Sequence, residues 1–549
     1  MNYEASSFGM PRVLLSVLVA ATVFVSSASA DDTPTYLDTF PAFNPQLTTD
    51  LPGDVDVSLK KQLENDKKFA QVQRLFDLWS WQSFITLNWP VNDKGEFSPS
   101  VSDTAFGPAK WTTWYESPSI FRRDGGVPAA CAKPSKELLL SLTREANLPI
   151  ARDLKPFALP KGFDKRKTRL LGNISAIGDA SPATPATSTD THPDVLDETV
   201  QAFSAPMIDQ NGNYVFYEIQ IDPNEVGYIC TYKLYNINGQ VEFTKGDPTK
   251  KADLPSGTDK VDGSGAWELK LAWRILTASD DKSRFLTTAA LVPPTNGKCP
   301  GGSTPGKDNQ CPVDVGMVGM HIAHKSQSSP QWIWATFEQI DNLAVNNVAH
   351  PNLKPSFFDP SCEICVPNQP PAHNQSTGQW ATTPPTQAWR AIPIPPDKVA
   401  LNEQAALALA KANSAMQYYQ LIDTQWPTDP SAPPANPKDG LPNAINNKPG
   451  GNPTPVYLTN ITMETYFQAG VQAACKQEEV NTCPAPSWLT ANQASQPVDM
   501  TSVFGTESCM GCHSSAGLYV TPTKTSGQLN GDFSWLFAQK AQLAKPNKP

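Results

Sequence analysis

The sequence predicts an α+β protein: a β-rich body with an antiparallel sheet and surrounding helices, long Pro-rich loops, and a short C-terminal segment with its own chemistry. Three observations predict it. Between residues 202 and 345, apolar and polar positions alternate in several short runs, the period of half-buried strands. The chain holds 53 prolines in 549 residues with 39% hydrophobic residues. That is nearly twice the usual proline content of ~5% and implies long ordered loops around a modest core. Finally, Cys509-Met510-Gly511-Cys512-His513 is the C-x-x-C-H pattern of covalent haem attachment, which makes the last part a C-terminal haem-binding segment.

Taken in order, residues 1–30 read as a secretory signal peptide. Arg12 supplies weak positive charge, Val13 to Val25 is apolar, and Ala28-Ser29-Ala30 is a cleavage signal, so the mature chain is expected to start at Asp31. The apolar run is shorter than the roughly 20 residues a membrane span needs. The expectation is a periplasmic protein with no stable membrane span after cleavage. That compartment permits disulfides. Besides Cys509 and Cys512 the chain has Cys131, Cys230, Cys299, Cys311, Cys362, Cys365, Cys475 and Cys483. Close spacing suggests Cys299–Cys311, Cys362–Cys365 and Cys475–Cys483, leaving Cys131–Cys230, although spacing does not fix connectivity. Val366 follows Cys365, so Cys362-Glu363-Ile364-Cys365 is not a second haem site, and a structural disulfide is expected there rather than a redox dithiol. The formal net charge of −10, without basic clusters, argues against a nucleic-acid partner. It suits steering toward a basic redox partner protein as well as ordinary solubility.

The β-rich body is assigned to 31–345. Phe69, Val72, Phe76 and Trp79 recur at helical spacing, so Lys60 to about Thr86 reads as one amphipathic helix closed by Trp89-Pro90. Asp209-Gln210-Asn211-Gly212 is a turn signal before a strand at Tyr214 to Ile219. Strands follow at Trp267 to Trp273 and Arg284 to Val292, and a hairpin at Val313–His324 and Trp332–Glu338. A Pro-rich excursion, 346–455, carries one helix from Glu403 to about Thr424, with Asn402 as its N-cap. The haem-binding segment, 456–549, is expected to pack on the body, with Asn460 capping a short helix through Phe467 and a last helix at Asp532–Leu543.

The motif carries the functional reading. Two thiols two residues apart reach the two vinyl groups of one porphyrin, and His513 then lies under the iron as proximal ligand. The expected cofactor is one covalently attached haem c. Zinc would ordinarily need four Cys/His ligands, and no second such pair is near. Thirty-six residues follow His513 (549 − 513), none of them Met or His, so a distal ligand has to come from upstream or the sixth position is open. The distal candidates are Met317, His321 and Met463, with Met500 behind them. In a regular strand Met317 and His321 would share one face, and Met320 and His324 the other. Peroxide chemistry would want a distal His or Arg, for which His321, His324 and Arg390 are available. Glu338 and Glu464 read as isolated structural carboxylates.

Beyond the motif the chain resembles a group of exported bacterial proteins, the monohaem cytochrome c family. The resemblance rests on Trp81-Gln82-Ser83-Phe84 with Asn88-Trp89-Pro90, on Trp267-Glu268-Leu269-Lys270 with Ala272-Trp273, and on Gly319-Met320-His321-Ile322. It extends to Trp332-Ile333-Trp334 with Phe337-Glu338, Asn460 with Met463-Glu464-Thr465, and Ser508 through His513. It implies haem binding and electron transfer, and names no small-molecule substrate. The leading expectation is a periplasmic monohaem c-type cytochrome. The alternatives are a haem enzyme or small-molecule sensor with an open sixth iron position, and a non-haem, disulfide-rich binding protein.

Overall fold

The architecture is α+β, with helices packed on both faces of an eight-stranded, mostly antiparallel sheet. The computed structural model describes residues 47–132, 167–171, 205–258, 263–295, 297–306, 309–344, 353–362, 367–374, 376, 379–390, 394–427, 458–466, 509–513, 516–526 and 530–544. All lie in the unit Tyr36–Pro549. The expected signal peptide and the Cys475–Cys483 pair fall outside the described residues.

The helix expected from Lys60 to Thr86 is two helices. α1 (Val57–Asn65) is capped by Asp56, whose carboxylate accepts from the Leu59 N–H at 2.9 Å. Lys67 then takes a left-handed φ of 58°, which breaks the helix and starts α2 (Phe69–Leu87). Every residue of α2 from Leu75 onward is buried, the polar Asp77, Ser80, Gln82, Ser83 and Thr86 among them. Phe76 stacks on Trp426 at 4.5 Å, Trp79 on Trp267 at 5.5 Å and Phe84 on Phe337 at 4.3 Å. Each ring contributes roughly 1.5–3 kcal/mol through burial. Asn88 closes the helix by donating to the Phe84 carbonyl at 2.9 Å.

The next elements are β1 (Tyr115–Glu116), α3 (Ser117–Ile120), α4 (Ala129–Ala132), β2 (Thr168–Leu170), β3 (Phe216–Ile221), α5 (Pro223–Tyr232) and α6 (Ile237–Phe243). They are followed by β4 (Trp267–Ile275), β5 (Thr287–Val292), β6 (Cys311–His324) and β7 (Ile333–Gln339). The alternation in the sequence thus forms strands where expected, and β6 with β7 is the expected hairpin. The long strand β6 is the spine. β4 runs along one edge of it, while β5 and β7 divide the other, β5 taking Cys311–Gly316 and β7 taking Gly319–His324. The β2–β5 pair is parallel.

A small hairpin of β8 (His373–Asn374) and β9 (Gln379–Trp380) precedes α7 (Pro396–Lys411) and β10 (Tyr419–Gln425). Here the sequence reading is corrected. The helix expected from Glu403 to Thr424 starts at Pro396 and ends at Lys411, and the residues after it form a strand paired with β7. Pro396 sits in the first turn, where its missing N–H costs nothing. Asn413, at φ 53°, stops the helix, with Asn413 N–H on Ala410 O and Ser414 N–H on Leu409 O. Asn402 is therefore interior rather than a cap. Its amide is buried, accepting from Trp81 Nε1 and the Leu421 N–H and donating to the Leu421 carbonyl.

The remaining elements are α8 (Cys509–His513), β11 (Tyr519–Thr521), β12 (Lys524–Thr525) and α9 (Leu536–Lys540). The last helix is thus shorter than the expected Asp532–Leu543. Cys131–Cys230 and Cys299–Cys311 form disulfides. Cys362 is also disulfide-bonded, and its expected partner Cys365 lies outside the described residues. Among the described residues no helix is long and apolar enough to cross a membrane.

The sheet has two unlike faces. α2 and α7 cover one, with Trp267, Leu271, Met317, Met320, Ile322 and Phe337 in a single apolar cluster. The second face carries Ala323 and Trp334, packed with residues of α5, α6, α8 and α9.

Candidate functional site

The C-x-x-C-H motif lies on the second face. Its five residues form one helical turn, α8, which sets the spacing between residues 509 and 512. The turn is pinned by Gln425 at the end of β10, whose side-chain carbonyl accepts from the Met510 N–H at 2.8 Å. The Met510 side chain is buried in the cluster that contains Leu458, Leu518, Phe533 and Phe537. Cys509 is half-buried, its Sγ 3.9 Å from the Leu458 carbonyl. The side chain of Cys512 lies outside the described residues.

His513 is held from two sides. Its Nδ1 is 2.7 Å from the Phe533 carbonyl, so Nδ1–H donates and the lone pair is on Nε2. Its ring lies 4.4 Å from that of Trp334, tilted by 50°. Trp334 is itself fixed by its Nε1–H on the Gln331 carbonyl. Burial pushes the His513 pKa down to about 4, helped by the positive charge of Lys270 and by His321. The ring is therefore neutral near pH 7, the form that ligates a metal, with the other nitrogen anchored as metal-binding histidines require. Nε2 makes no hydrogen bond to a described residue.

Phe533 is presented by an unusual backbone. Asp532 and Phe533 both take left-handed φ, 51° and 67°. Each such residue costs about 1–3 kcal/mol and persists where the surroundings hold it. Here Asp532 accepts from Lys325 Nζ and the Leu254 N–H, both at 2.7 Å, and Gly531 donates to Ala516 O.

The upstream candidates are distributed by a feature the sequence did not reveal. The β4–β6 register shifts between Ala272↔Gly319 and Trp273↔Met317, which leaves Val318 as a bulge. The bulge reverses the faces on its two sides. Met317 consequently joins Met320 and Ile322 under α2, fully buried, with its carbonyl accepting from Tyr419 Oη at 2.8 Å. It does not share a face with His321, contrary to the regular-strand expectation. His321 lies opposite Thr336, on the side of Trp334 and His513. Met463 packs in a separate apolar cluster with Tyr217, Val318 and Phe357. His324 belongs to the α2 face, stacked 3.7 Å from Trp267, with both ring nitrogens on the backbone carbonyls of Ala266 and Gly53.

His321 is engaged at both nitrogens. Nε2 is 2.8 Å from Glu464 Oε1, and Nδ1 meets the Thr336 hydroxyl. Gly319 makes this arrangement possible. A Cβ there would meet Thr462 Oγ1 at 2.1 Å, so glycine lets the 460–464 turn lie against the sheet and carry Glu464 to His321. Asn460 and Glu464 close the turn reciprocally: Glu464 Oε2 accepts the Asn460 N–H, and the Glu464 N–H donates to the Asn460 carbonyl. Burial raises the Glu464 pKa, but the charge and hydrogen bond of His321, with Lys270, outweigh it and hold the carboxyl below its ordinary value. Glu338, the other carboxylate read as isolated, accepts the Ile461 N–H and is ion-paired with Arg390.

Sequence reasoning singled out the motif and named His321 among its distal candidates. It missed Gln425, Trp334, Phe533 and the pairing of Glu464 with His321. Trp334, Thr336 and Glu338 alternate on β7 and so share a face, a signal present in the sequence that gained meaning only once β7 was registered against β6. No family model, no curated protein and no solved structure matches the chain.

Proposed function

We propose that this chain is an exported, periplasmic monohaem c-type cytochrome. Cys509 and Cys512 hold haem c through thioether bonds, and His513 is the proximal iron ligand. The observation that carries this reading is His513 itself, a neutral imidazole on a C-x-x-C-H turn, anchored at Nδ1 and, among the described residues, without a hydrogen bond at Nε2. The cofactor would supply a one-electron couple at iron. Gln425 fixes the helical turn, Phe533 orients the imidazole, and Trp334, Leu458, Leu518 and Phe537 exclude water around it. Exclusion of water and the hydrogen bond to the proximal histidine are the levers through which these residues would tune the potential. Electron transfer to or from a redox partner protein is the activity this supports. The apolar N-terminal run and the disulfides support export to an oxidising compartment.

A second reading is favoured by one specific arrangement. Met317 lies on the opposite face, Met463 is in another cluster, and His321 has both nitrogens committed. With no ready distal ligand among these three, a haem enzyme or small-molecule sensor with an open sixth position follows. One experiment separates the readings: the visible spectrum of the reduced, exported protein before and after carbon monoxide. An unchanged low-spin spectrum selects the electron carrier, and a shifted Soret band selects the open site. A mature protein without a Soret band refutes both and leaves the disulfide-rich binding protein.

A further inference from the structure

On the face that holds His513, two carboxyl groups meet out of water. Glu225, in the first turn of α5, and Glu268, on β4, lie within hydrogen-bonding distance of each other. Glu225 is fully buried. As two carboxylates they would repel, and Glu225 Oε1, Glu225 Oε2 and Glu268 Oε1 would have no donor at all. A pair sharing one proton removes both problems, because a carboxylic acid can donate to its neighbour.

The groups around the pair do not relieve it by charge. Asp222 caps α5 and is used by the backbone N–H groups of Asn224, Glu225 and Trp267. Asp532 approaches from the left-handed segment and is ion-paired with Lys325, which follows β6. Lys325 also reaches the exposed Asp253, whose N–H donates to the Tyr228 hydroxyl. Burial raises Asp222 and Glu268 to about 7 and Asp532 to about 6, and lifts Glu225 well above the ordinary carboxyl range. Among the described residues no three His, Cys, Asp or Glu side chains are placed to hold a metal ion. A proton is the ligand that two facing carboxyl groups suit.

The pair is one residue removed from the anchor of His513. The Ser534 side chain lies beside Glu268, and its neighbour Phe533 gives its carbonyl to His513 Nδ1. The backbone between the two contacts is fixed by Asp532 on one side and by the Ser534 N–H on Gly531 O on the other.

We infer that Glu225 and Glu268 form a proton-binding site coupled to the redox state of the centre at His513. The inference rests on the haem reading above. One electron from a protein donor reduces ferric to ferrous iron. One proton from water converts the carboxyl–carboxylate pair into two carboxylic acids, so the charge added to the low-dielectric region is cancelled. Oxidation returns the electron to an acceptor and the proton to water.

The test is a redox titration of the haem-loaded full-length protein from about pH 5 to about pH 9, on wild type, Glu268→Gln and Glu225→Gln. Glutamine keeps the shape of the neutral acid, and two independent variants guard against one that fails to fold. In wild type the reduction equilibrium should become roughly tenfold less favourable per pH unit across the window in which the pair titrates, and both variants should flatten that dependence. The reduced-minus-oxidised infrared spectrum should show a protonated-carboxyl carbonyl band in wild type that the variants lack. A flat wild-type profile in a protein that carries haem, or a slope unchanged in both variants, overturns the coupling and spares the cytochrome assignment. Absence of a Soret band from exported wild type overturns both and is seen before any titration begins.

Discussion

The two faces of the sheet differ in how much polar chemistry they bury. Under α2 aromatic and apolar contacts predominate around two buried ion pairs, Lys398–Asp77 and Arg169–Glu218, and His324 is stacked between Trp79 and Trp267 and tied to backbone carbonyls. On the other face the strands present Glu268, Lys270, His321, Thr336 and Glu338 as cross-strand neighbours, and helices and turns bring Glu225, Glu464 and His513 over them. A buried polar layer of this kind is costly to assemble and is not needed to hold a sheet together. The contrast assigns stability mainly to the α2 face and chemistry to the other.

The most drastic way to sharpen this contrast is at the motif. Cys512→Ala should abolish stable haem attachment, read as loss of haem stain after denaturing electrophoresis. His513→Ala should leave thioether chemistry in place but change the iron spectrum, and a fully normal reduced spectrum from it would sink the ligand assignment. Next comes a pair of matched truncations. Trp79→Ala should cost about 3–5 kcal/mol in urea unfolding, whereas Trp334→Ala should cost less and perturb the spectrum. Equal stability losses with an unaltered spectrum would break the division between the faces.

Acid should reach both faces, through different groups. Burial holds His324 neutral, with a pKa of about 4, so its contribution is complete above its unfolded value of about 6.5 and is lost as pH falls toward 4. That amounts to on the order of 3 kcal/mol. Glu464 is depressed in the folded state, so its contribution persists above the unfolded value of about 4.3 and is lost only as pH falls further. Unfolding curves at several pH values should show the first loss reduced in His324→Gln and the second in Glu464→Gln. The smallest effect is expected from Gln425→Ala. It strands the buried Met510 N–H and should cost about 1–3 kcal/mol, with haem occupancy in the exported protein lowered rather than lost.

The sequence made the hairpin of β6 and β7 legible because period-two alternation survives on both strands. It made the C-x-x-C-H turn legible because that pattern is local, a short fixed spacing within one helical turn. It misled where local pattern and tertiary pairing disagree. Met416, Tyr419, Leu421 and Ile422 continue the spacing of α7 well enough to read as helix, yet the left-handed Asn413 ends it and the pairing surface of β7 claims the rest. The bulge at Val318 has no local signature, because it exists only in the register between β4 and β6. A one-residue irregularity there decided that Met317 and His321 would part company. The Glu225–Glu268 contact was equally hidden, since it joins a helix start to a strand interior.

The seat of His513 also carries a sense of time. It is closed by contacts between residues very far apart along the chain: Leu254 with Asp532 at a separation of 278, and Gln240 with Phe537 at 297. Met510 reaches Gln425 across 85 residues. Closing such long loops costs entropy before any contact repays it, so they form after local structure. The thiols at 509 and 512 therefore stay open to their surroundings through the earlier stages of folding. A group to be joined covalently to them would have an interval set by the fold, and the closure that seats the imidazole would end it.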